Sequence, residues 1–204
     1  MVIYMEIKEN FIYKKCFIIA EAGVNHNGSV EMAKKLVDAA KEVNADAVKF
    51  QTFKTDKLVT EDAEKAEYQI KNSGEDSQYN MIKSLELSDD EFKEIAEYTK
   101  NKGLIFLSSP FDIESVDLLD EIGVPAFKIA SGEINNFPLL EYIAKKEKPV
   151  ILSTGMSTIG EVDDAINLME KYNDNITLMH CLTSYPAKKE EANLNVIKTL
   201  ECAF

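Results

Sequence analysis

Six short apolar runs alternate with amphipathic stretches along the chain. Each run has five or six residues rich in β-branched or aromatic side chains: Phe17–Glu21, Asp46–Gln51, Leu104–Ser109, Ala126–Ser131, Pro149–Thr154 and Ile176–Cys181. Because the runs are largely apolar rather than alternating, they are typical of strands buried on both faces.

Helical spacing fills the intervals between these runs. Apolar or small residues recur three or four positions apart in three stretches: Val30 to Ala40, Phe92 to Thr99 and Val162 to Met169. Ser88 with Glu91, and Thr158 with Glu161, have the spacing of capping boxes, and Asp112 is placed to cap a further helix.

The strand starts lie 29, 58, 22, 23 and 27 residues apart, which predicts parallel strands joined by crossover helices. An open doubly wound sheet and a (βα)₈ TIM barrel both fit this pattern. Nearly every predicted strand ends in polar residues, and a barrel gathers all such ends around one mouth. We therefore expect an α/β fold of the TIM-barrel type.

A complete barrel needs eight strands and about 250 residues, whereas this chain has 204 residues and six visible units. We expect residues 17–204 to form an incomplete barrel without its last two strands. Residues 1–16 are expected to form a hairpin closing the barrel bottom, with a frayed terminus as the alternative. The long segment 52–87 is a candidate lid, with short helices at Thr60–Lys71 and Gln78–Leu85.

Charge and composition exclude several classes of partner. The chain has 23 basic and 36 acidic residues, a net charge of −13, and every basic residue is lysine. Such an acidic chain is repelled by nucleic acids and anionic membranes, so neither is an expected partner. Three cysteines without paired spacing, and no apolar run of membrane-spanning length, predict a reduced cytoplasmic protein.

Two lysines stand out because each lies inside an apolar run. Lys49 and Lys128 carry ammonium groups whose burial is costly unless they reach a polar pocket or a bound anion. With Ser109 and Ser131 as neutral donors at neighbouring strand ends, a phosphate or carboxylate site is the simplest interpretation. A Schiff-base lysine of the aldolase type, and a structural pairing with a buried glutamate, are the alternatives.

Carboxylates and imidazoles complete the candidate chemistry. Glu21 ends the first run and Glu133 follows the fourth, where each suits a base, an acceptor for sugar hydroxyls or a lysine partner. His26 and His180 are the only histidines. A metal site on this pair alone is not expected, since two imidazoles without a defined carboxylate are too few ligands.

Six motifs occur in order along the chain and together resemble those of the sialic acid synthases, which include N-acetylneuraminate synthase and its legionaminate relatives. They are Glu21-Ala-Gly-Val-Asn-His-Asn-Gly, Val48-Lys-Phe-Gln51, Ser109-Pro-Phe-Asp112, Phe127-Lys-Ile-Ala-Ser-Gly-Glu133, Leu152-Ser-Thr-Gly-Met156 and His180-Cys-x-x-x-Tyr-Pro186. Each motif alone is weak, but six in register are specific. The resemblance runs from about Phe17 to Leu200.

The resemblance implies an enzyme that condenses phosphoenolpyruvate with an N-acylated hexosamine of the N-acetylmannosamine type, giving a nine-carbon ulosonic acid and phosphate. It implies a divalent metal, Mn²⁺ or Mg²⁺, whose histidine ligands lie on strands seven and eight. It also implies a C-terminal antifreeze-like domain that caps the partner's barrel in a homodimer. The chain lacks both parts, so we expect impaired activity for these residues alone.

Individual roles follow from matching motif positions. The resemblance places phosphoenolpyruvate against four side chains: Lys49, Ser109, Lys128 and Ser131. Thr183 occupies a phosphate-contact position where the family often has asparagine, and Tyr185 is expected to line the sugar pocket. Gln51, Glu21 and Glu133 are expected to face substrates, with Glu21 and Glu133 as the catalytic candidates and Glu133 as the group that handles the attacking water.

Three rival functions are compatible with the sequence. Another phosphoenolpyruvate-dependent sugar-acid synthase would take a phosphorylated acceptor, which the absence of arginine mildly disfavours. A Schiff-base aldolase would use Lys49 or Lys128. A non-catalytic half-barrel that binds a ligand or a partner chain is the third.

Overall fold

The predicted strands form two parallel sheets of three strands each in the computed structural model, which describes residues 16–61, 63, 77–184 and 186–204. The strands are β1 (Ile19–Gly23), β2 (Ala47–Thr52), β3 (Ile105–Pro110), β4 (Phe127–Ile129), β5 (Val150–Ser153) and β6 (Ile176–Met179). The sheet orders, β1-β2-β3 and β4-β5-β6, follow the chain. All six strand predictions are confirmed within a few residues, and the expected hairpin in residues 1–16 lies almost entirely outside the described residues.

Helices connect the strands, and the three stretches with helical spacing and the segment after Asp112 are each confirmed as helical. They are α1 (Val30–Glu42), α2 (Thr55–Leu58), α3 (Gln78–Lys83), α4 (Asp89–Asn101), α5 (Ile113–Ile122), α6 (Phe137–Ala144), α7 (Ile159–Met169) and α8 (Asn195–Ala203). Both capping boxes are present: Ser88 with Glu91 caps the N-terminus of α4, and Thr158 with Glu161 caps the N-terminus of α7. Asp112 caps α5, accepting from the Ser115 backbone at 2.6 Å. No helix in the described parts of the chain combines the length and apolar character that crossing a bilayer requires.

The chain divides into two units, Met1–Val124 and Pro125–Phe204. The core of the first unit lies where α1 and α4 cover its sheet. Phe50 on β2 is fully buried and stacks on Phe106 of β3, with ring centroids 5.7 Å apart. Val37 of α1 and Ile95 of α4 are also fully buried. Burying each such side chain contributes about 1.5–3 kcal/mol, which holds these helices on the sheet.

The second unit buries β4 and β5 but not β6. Phe127, Ile129 and Leu152 are fully buried, as are Leu140 of α6 and Met169 of α7. The residues of β6 are only half-buried or exposed, so the expectation of burial on both faces is wrong for this strand. The reason is its position: β6 ends its sheet and pairs only with β5 among the described strands.

In the described part of the segment between β2 and α4, hydrogen bonds to Glu86 hold its two ends together. Glu86 accepts hydrogen bonds from the backbone N–H and hydroxyl of Thr55, at 2.9 and 2.6 Å, and from Lys83 at 3.0 Å. Burial alone raises the pKa of Glu86, but these hydrogen bonds outweigh it and the pKa is lowered. The predicted helix at Thr60–Lys71 falls largely outside the described residues, and a lid role stays a prediction.

Candidate functional site

Four polar residues meet at the carboxyl ends of β1, β2 and β3; they form the Lys49 cluster, namely Glu21, Lys49, Gln51 and Ser109. Glu21 is opposite Lys49 in the β1–β2 register, and Gln51 is opposite Ser109 in the β2–β3 register. The Lys49 ammonium lies 2.8 Å from a Glu21 carboxylate oxygen and donates to the Ser109 hydroxyl at 3.4 Å. Parallel pairing thus brings together side chains that are 28 and 60 residues apart in sequence.

The two partners of the Lys49–Glu21 ion pair differ in their exposure to solvent. Lys49 is 9% exposed, whereas the Glu21 side chain is 51% exposed. The pairing with glutamate that the sequence left open is therefore present, but its carboxylate is not buried. An ammonium has three N–H donors. Two reach Glu21 and Ser109, and the described residues offer no third acceptor, which leaves one donor for an anionic ligand.

Gly23 shapes the end of β1 behind this pair. Its φ is +55°, a conformation that favours glycine, and the β1–β2 register shifts between Glu21 and Gly23. A Cβ at this position would lie 3.2 Å from a carboxylate oxygen of Glu21. The glycine therefore gives the Glu21 side chain the space in which it meets Lys49.

The loop after β1 buries His26, which is 1% exposed. Its Nδ1 accepts the Gly28 backbone N–H at 3.1 Å, so the neutral ring carries its proton on Nε2. Nε2 is buried and has no hydrogen-bond partner among the described residues. Burial lowers the pKa of His26, and the charge of Glu91 raises it by a smaller amount. The imidazole is therefore held neutral at physiological pH.

A second group of residues, the Lys128 cluster, lies at the carboxyl ends of β4 and β5: Lys128, Ser131, Ser153 and Gly155. Lys128 is 6% exposed and donates to the Ile129 carbonyl at 2.8 Å and to the Ser153 hydroxyl. The Ser131 hydroxyl accepts the Gly155 backbone N–H at 3.0 Å. Hydroxyl groups thus fix both the ammonium and the turn after β5.

The turn at Gly155 is closely packed. A Cβ there would lie 2.7 Å from a Thr183 methyl, 2.8 Å from the Ser131 hydroxyl and 3.1 Å from the Cys181 carbonyl. Thr183 itself is exposed. Only a residue without a side chain lets the backbone approach Ser131 this closely.

Glu133 lies in a 3₁₀ helix, Ser131–Glu133, directly after β4. The predicted fourth strand therefore ends earlier than Ser131, at Ile129, because the chain turns there. The Glu133 carboxylate accepts from the Asn136 side chain at 2.7 Å, and Asn136 caps α6. Glu133 is half-buried and tied to a helix start rather than free in solution.

The structure thus brings Glu21, Lys49, Gln51 and Ser109 together in one unit, and Lys128 and Ser131 in the other. Tyr185 lies outside the described residues. Ser153 and Gly155 were not assigned from the sequence as site residues, although Ser153 is one of the polar strand ends. Its contact with Lys128 depends on the β4–β5 register, in which Lys128 is opposite Ile151.

A divalent metal does not fit the described donor set. Within the described residues, no three His, Cys, Asp or Glu side chains are grouped to hold a metal ion. His26 uses Nδ1 for the Gly28 backbone, and the Nε2 of His180 lies 2.8 Å from the Ala192 carbonyl. The described residues therefore give no site through which a metal-dependent step can be derived.

Comparison with known proteins settles the family. The model of the NeuB family matches residues 36–204, more than four fifths of the chain. The chain belongs to the NeuB family. This match confirms the resemblance drawn from the six motifs.

Curated relatives of this NeuB-family chain include two legionaminic acid synthases of about 50% identity. It is 50% identical over 195 residues to the N,N'-diacetyllegionaminic acid synthase of Campylobacter jejuni, covering 94% of this chain and 58% of the relative. The synthase of the same name from Legionella pneumophila is 49% identical over 195 residues, with coverage of 93% and 55%. The chain therefore spans little more than half the length of these curated relatives.

A crystal structure of sialic acid synthetase from Leptospira borgpetersenii, in complex with citrate, matches the fold with a TM-score of 0.81. The two chains are 35% identical, and the match covers 92% of this chain and 61% of the other. The arrangement of strands and helices in this NeuB-family chain is therefore one that a solved relative also has.

Proposed function

We propose that this chain carries the phosphoenolpyruvate-binding part of a synthase that makes a sialic-acid-like sugar. The reaction condenses phosphoenolpyruvate with an N-acylated hexosamine and releases phosphate. The observation that carries the proposal is the burial of two lysines, Lys49 and Lys128, each beside a serine hydroxyl at the carboxyl end of parallel strands. The names of the relatives, which are legionaminic and sialic acid synthases, support the product class.

Such a reaction requires the protein to orient the two substrates and to stabilise negative charge, but it does not require a protein nucleophile. The attacking atom is the methylene carbon of phosphoenolpyruvate itself, so the protein must hold an enol phosphate against an aldehyde. The carboxylate and the phosphate of phosphoenolpyruvate both need cations, and every basic residue of the chain is a lysine. A fixed ammonium in a partly desolvated site stabilises an anion more strongly than one in water does.

In this proposal, the family resemblance assigns phosphoenolpyruvate binding to Lys49, Ser109, Lys128 and Ser131. Thr183, which stands near Gly155, contacts the phosphate, and Tyr185 lines the sugar pocket. Glu21 and Gln51 face the substrates from the ends of β1 and β2. Glu133, fixed by Asn136, accepts a proton from the water that attacks the condensed intermediate.

Several wider features belong to the same proposal. The six strands are taken as part of a (βα)₈ barrel, and the full-length protein as a homodimer. The divalent metal, Mn²⁺ or Mg²⁺, would supply Lewis-acid polarisation of the aldehyde from ligands outside the described residues. A cytoplasmic location is supported by three free thiols, Cys16, Cys181 and Cys202.

Calorimetric titration with phosphoenolpyruvate tests the anion site directly. Lys49→Met and Lys128→Met should each weaken binding about tenfold or more, because a hydrogen bond to a charged group contributes about 1.5–3 kcal/mol. Lys57→Met is the matched control, since that lysine pairs with Glu114 in an exposed position. Equal affinities for all four proteins, or no binding by the parent chain, would refute the assignment.

Turnover and covalent trapping separate the remaining functions. Phosphate release from phosphoenolpyruvate and N-acetylmannosamine with Mn²⁺ should be weak or absent for residues 1–204; robust turnover would contradict the expected impairment. Varying the acceptor distinguishes an N-acylated hexosamine from a phosphorylated sugar. Borohydride with pyruvate should leave no mass gain, whereas a stable adduct would favour a Schiff-base aldolase using Lys49 or Lys128.

A further inference from the structure

The hydroxyl of Ser153 has an unusual set of neighbours. Ser153 is the last residue of β5 and is 4% exposed. Its Oγ accepts a hydrogen bond from the Lys128 ammonium and a second from the thiol of Cys181, at 3.3 Å. A hydroxyl oxygen has two lone pairs and one proton. Both lone pairs are therefore occupied, and no acceptor for the proton lies among the described residues.

This arrangement has a directional consequence. With two donors pointing at its oxygen, the Ser153 O–H can only point away from both Lys128 and Cys181. The ammonium also polarises the hydroxyl, which makes the O–H a stronger donor. The thiol is the second of the two donors to Ser153. Without it, one lone pair of the Ser153 oxygen is vacant and the O–H can rotate.

We propose that Cys181 is a positioning residue: its thiol fixes the Ser153 hydroxyl beside the Lys128 ammonium and keeps the hydroxyl proton available to a bound anion. This inference rests on the proposed phosphoenolpyruvate function for its ligand. Cys181 does not react in this scheme and does not touch the substrate. It acts through Ser153 alone.

The backbone around Cys181 is held independently of its side chain. The Cys181 carbonyl packs against the turn after β5, 3.1 Å from the position where a Gly155 Cβ would be. In the same turn, Thr154 donates its backbone N–H and its hydroxyl to the Met179 carbonyl, each at 3.0 Å. Removing the thiol should therefore change the hydrogen bond to Ser153 without moving the chain.

A ligand-free measurement tests the hydrogen bond itself. Cys16 and Cys202 are both exposed, so the Cys16→Ser/Cys202→Ser background leaves Cys181 as the single thiol. Donation lowers the frequency of the S–H stretching band in the Raman spectrum. We expect this band to rise in frequency when Ser153→Ala is added to that background. An unchanged band would overturn the proposal, whatever the chain binds.

A binding measurement then tests the consequence. In the same background, Cys181→Ala should weaken binding of phosphoenolpyruvate and of inorganic phosphate about two- to tenfold, as expected for one hydrogen bond. Cys181→Ser keeps an O–H donor and should restore affinity to within about twofold of the parent. Thermal unfolding midpoints should be the same for both variants, which excludes a general loss of structure.

The outcomes distinguish this proposal from the proposed function. If Cys181→Ala binds as tightly as the parent, or if Cys181→Ser binds as weakly as Cys181→Ala, the positioning role is refuted. If the parent chain binds neither anion but the Raman band shifts as expected, the proposed function fails while the Cys181–Ser153 contact stands.

Discussion

Replacing Gly155 by alanine places one methyl group where three atoms already converge. The nearest are a Thr183 methyl at 2.7 Å, the Ser131 hydroxyl at 2.8 Å and the Cys181 carbonyl at 3.1 Å. Real Cβ atoms essentially never approach other atoms to 2.7 or 2.8 Å, so the turn or its neighbours must shift. The shift also threatens the hydrogen bond from the Gly155 N–H to Ser131.

The expected cost follows from these contacts. Overpacking by one methyl group in a tight site costs about 1–3 kcal/mol, and a weakened hydrogen bond adds about 0.5–1.5 kcal/mol. Alanine recovers about 0.4–1 kcal/mol by restricting the unfolded chain. The net loss of about 0.5–4 kcal/mol should lower the unfolding midpoint of a chain of this length by about 1–16 °C.

Thermal unfolding followed by circular dichroism measures this effect, with Gly160→Ala as the matched control. Gly160 lies in α7, and its Cβ would come no closer than 4.0 Å to the Thr158 hydroxyl. The control shares the unfolded-state effect and gains helix propensity, so its midpoint should stay level or rise. Adding Thr183→Ala to Gly155→Ala should recover part of the loss. The steric reasoning is wrong if Gly155→Ala melts with the parent and the control.

Two further predictions concern the titration of His26 and the two capping boxes. Because burial lowers the pKa of His26 from 6.5, the unfolded chain binds the proton first, and stability should fall as pH drops from about 6.5 through the lower folded pKa. His26→Asn, which keeps an acceptor for the Gly28 N–H but does not titrate, should reduce that slope in unfolding midpoints measured between about pH 7.5 and 5; an identical slope would exclude His26 as the cause. Ser88→Ala removes one half of the α4 capping box and should cost about 0.5–2 kcal/mol in denaturant unfolding. Thr158→Ala, at the equivalent position of α7, should cost a similar amount, and no loss in either variant would contradict the role of the boxes.

Local elements were predictable because their causes are local. The capping box at Ser88 and Glu91, and the cap at Asp112, depend on side chains three residues from the groups they satisfy. Strand positions followed from apolar runs for the same reason. The prediction that β6 is buried on both faces was wrong. Burial of a strand depends on the elements packed beside it, and the residues of the strand itself do not determine those.

For the candidate site as well, the sequence predicted some features, and the pairing of strands decided others. Residue types and motif order sufficed to select Lys49 and Lys128 and to suggest the family, because a lysine inside an apolar run carries its desolvation cost in the sequence itself. Which groups satisfy those ammonium ions was decided by strand register: Glu21 and Ser109 for Lys49, and Ser153 for Lys128.

The thiol of Cys181 marks the limit of sequence reasoning most clearly. In the chain it is an apolar neighbour of a histidine, with no spacing that assigns it chemistry. It reaches Ser153 only because β6 pairs with β5 and places the second residue after its end at the same edge of the sheet. The sequence determines which chemical groups are present. The partners of each polar atom at the site depend on long-range strand pairing, and only the tertiary structure specifies that pairing.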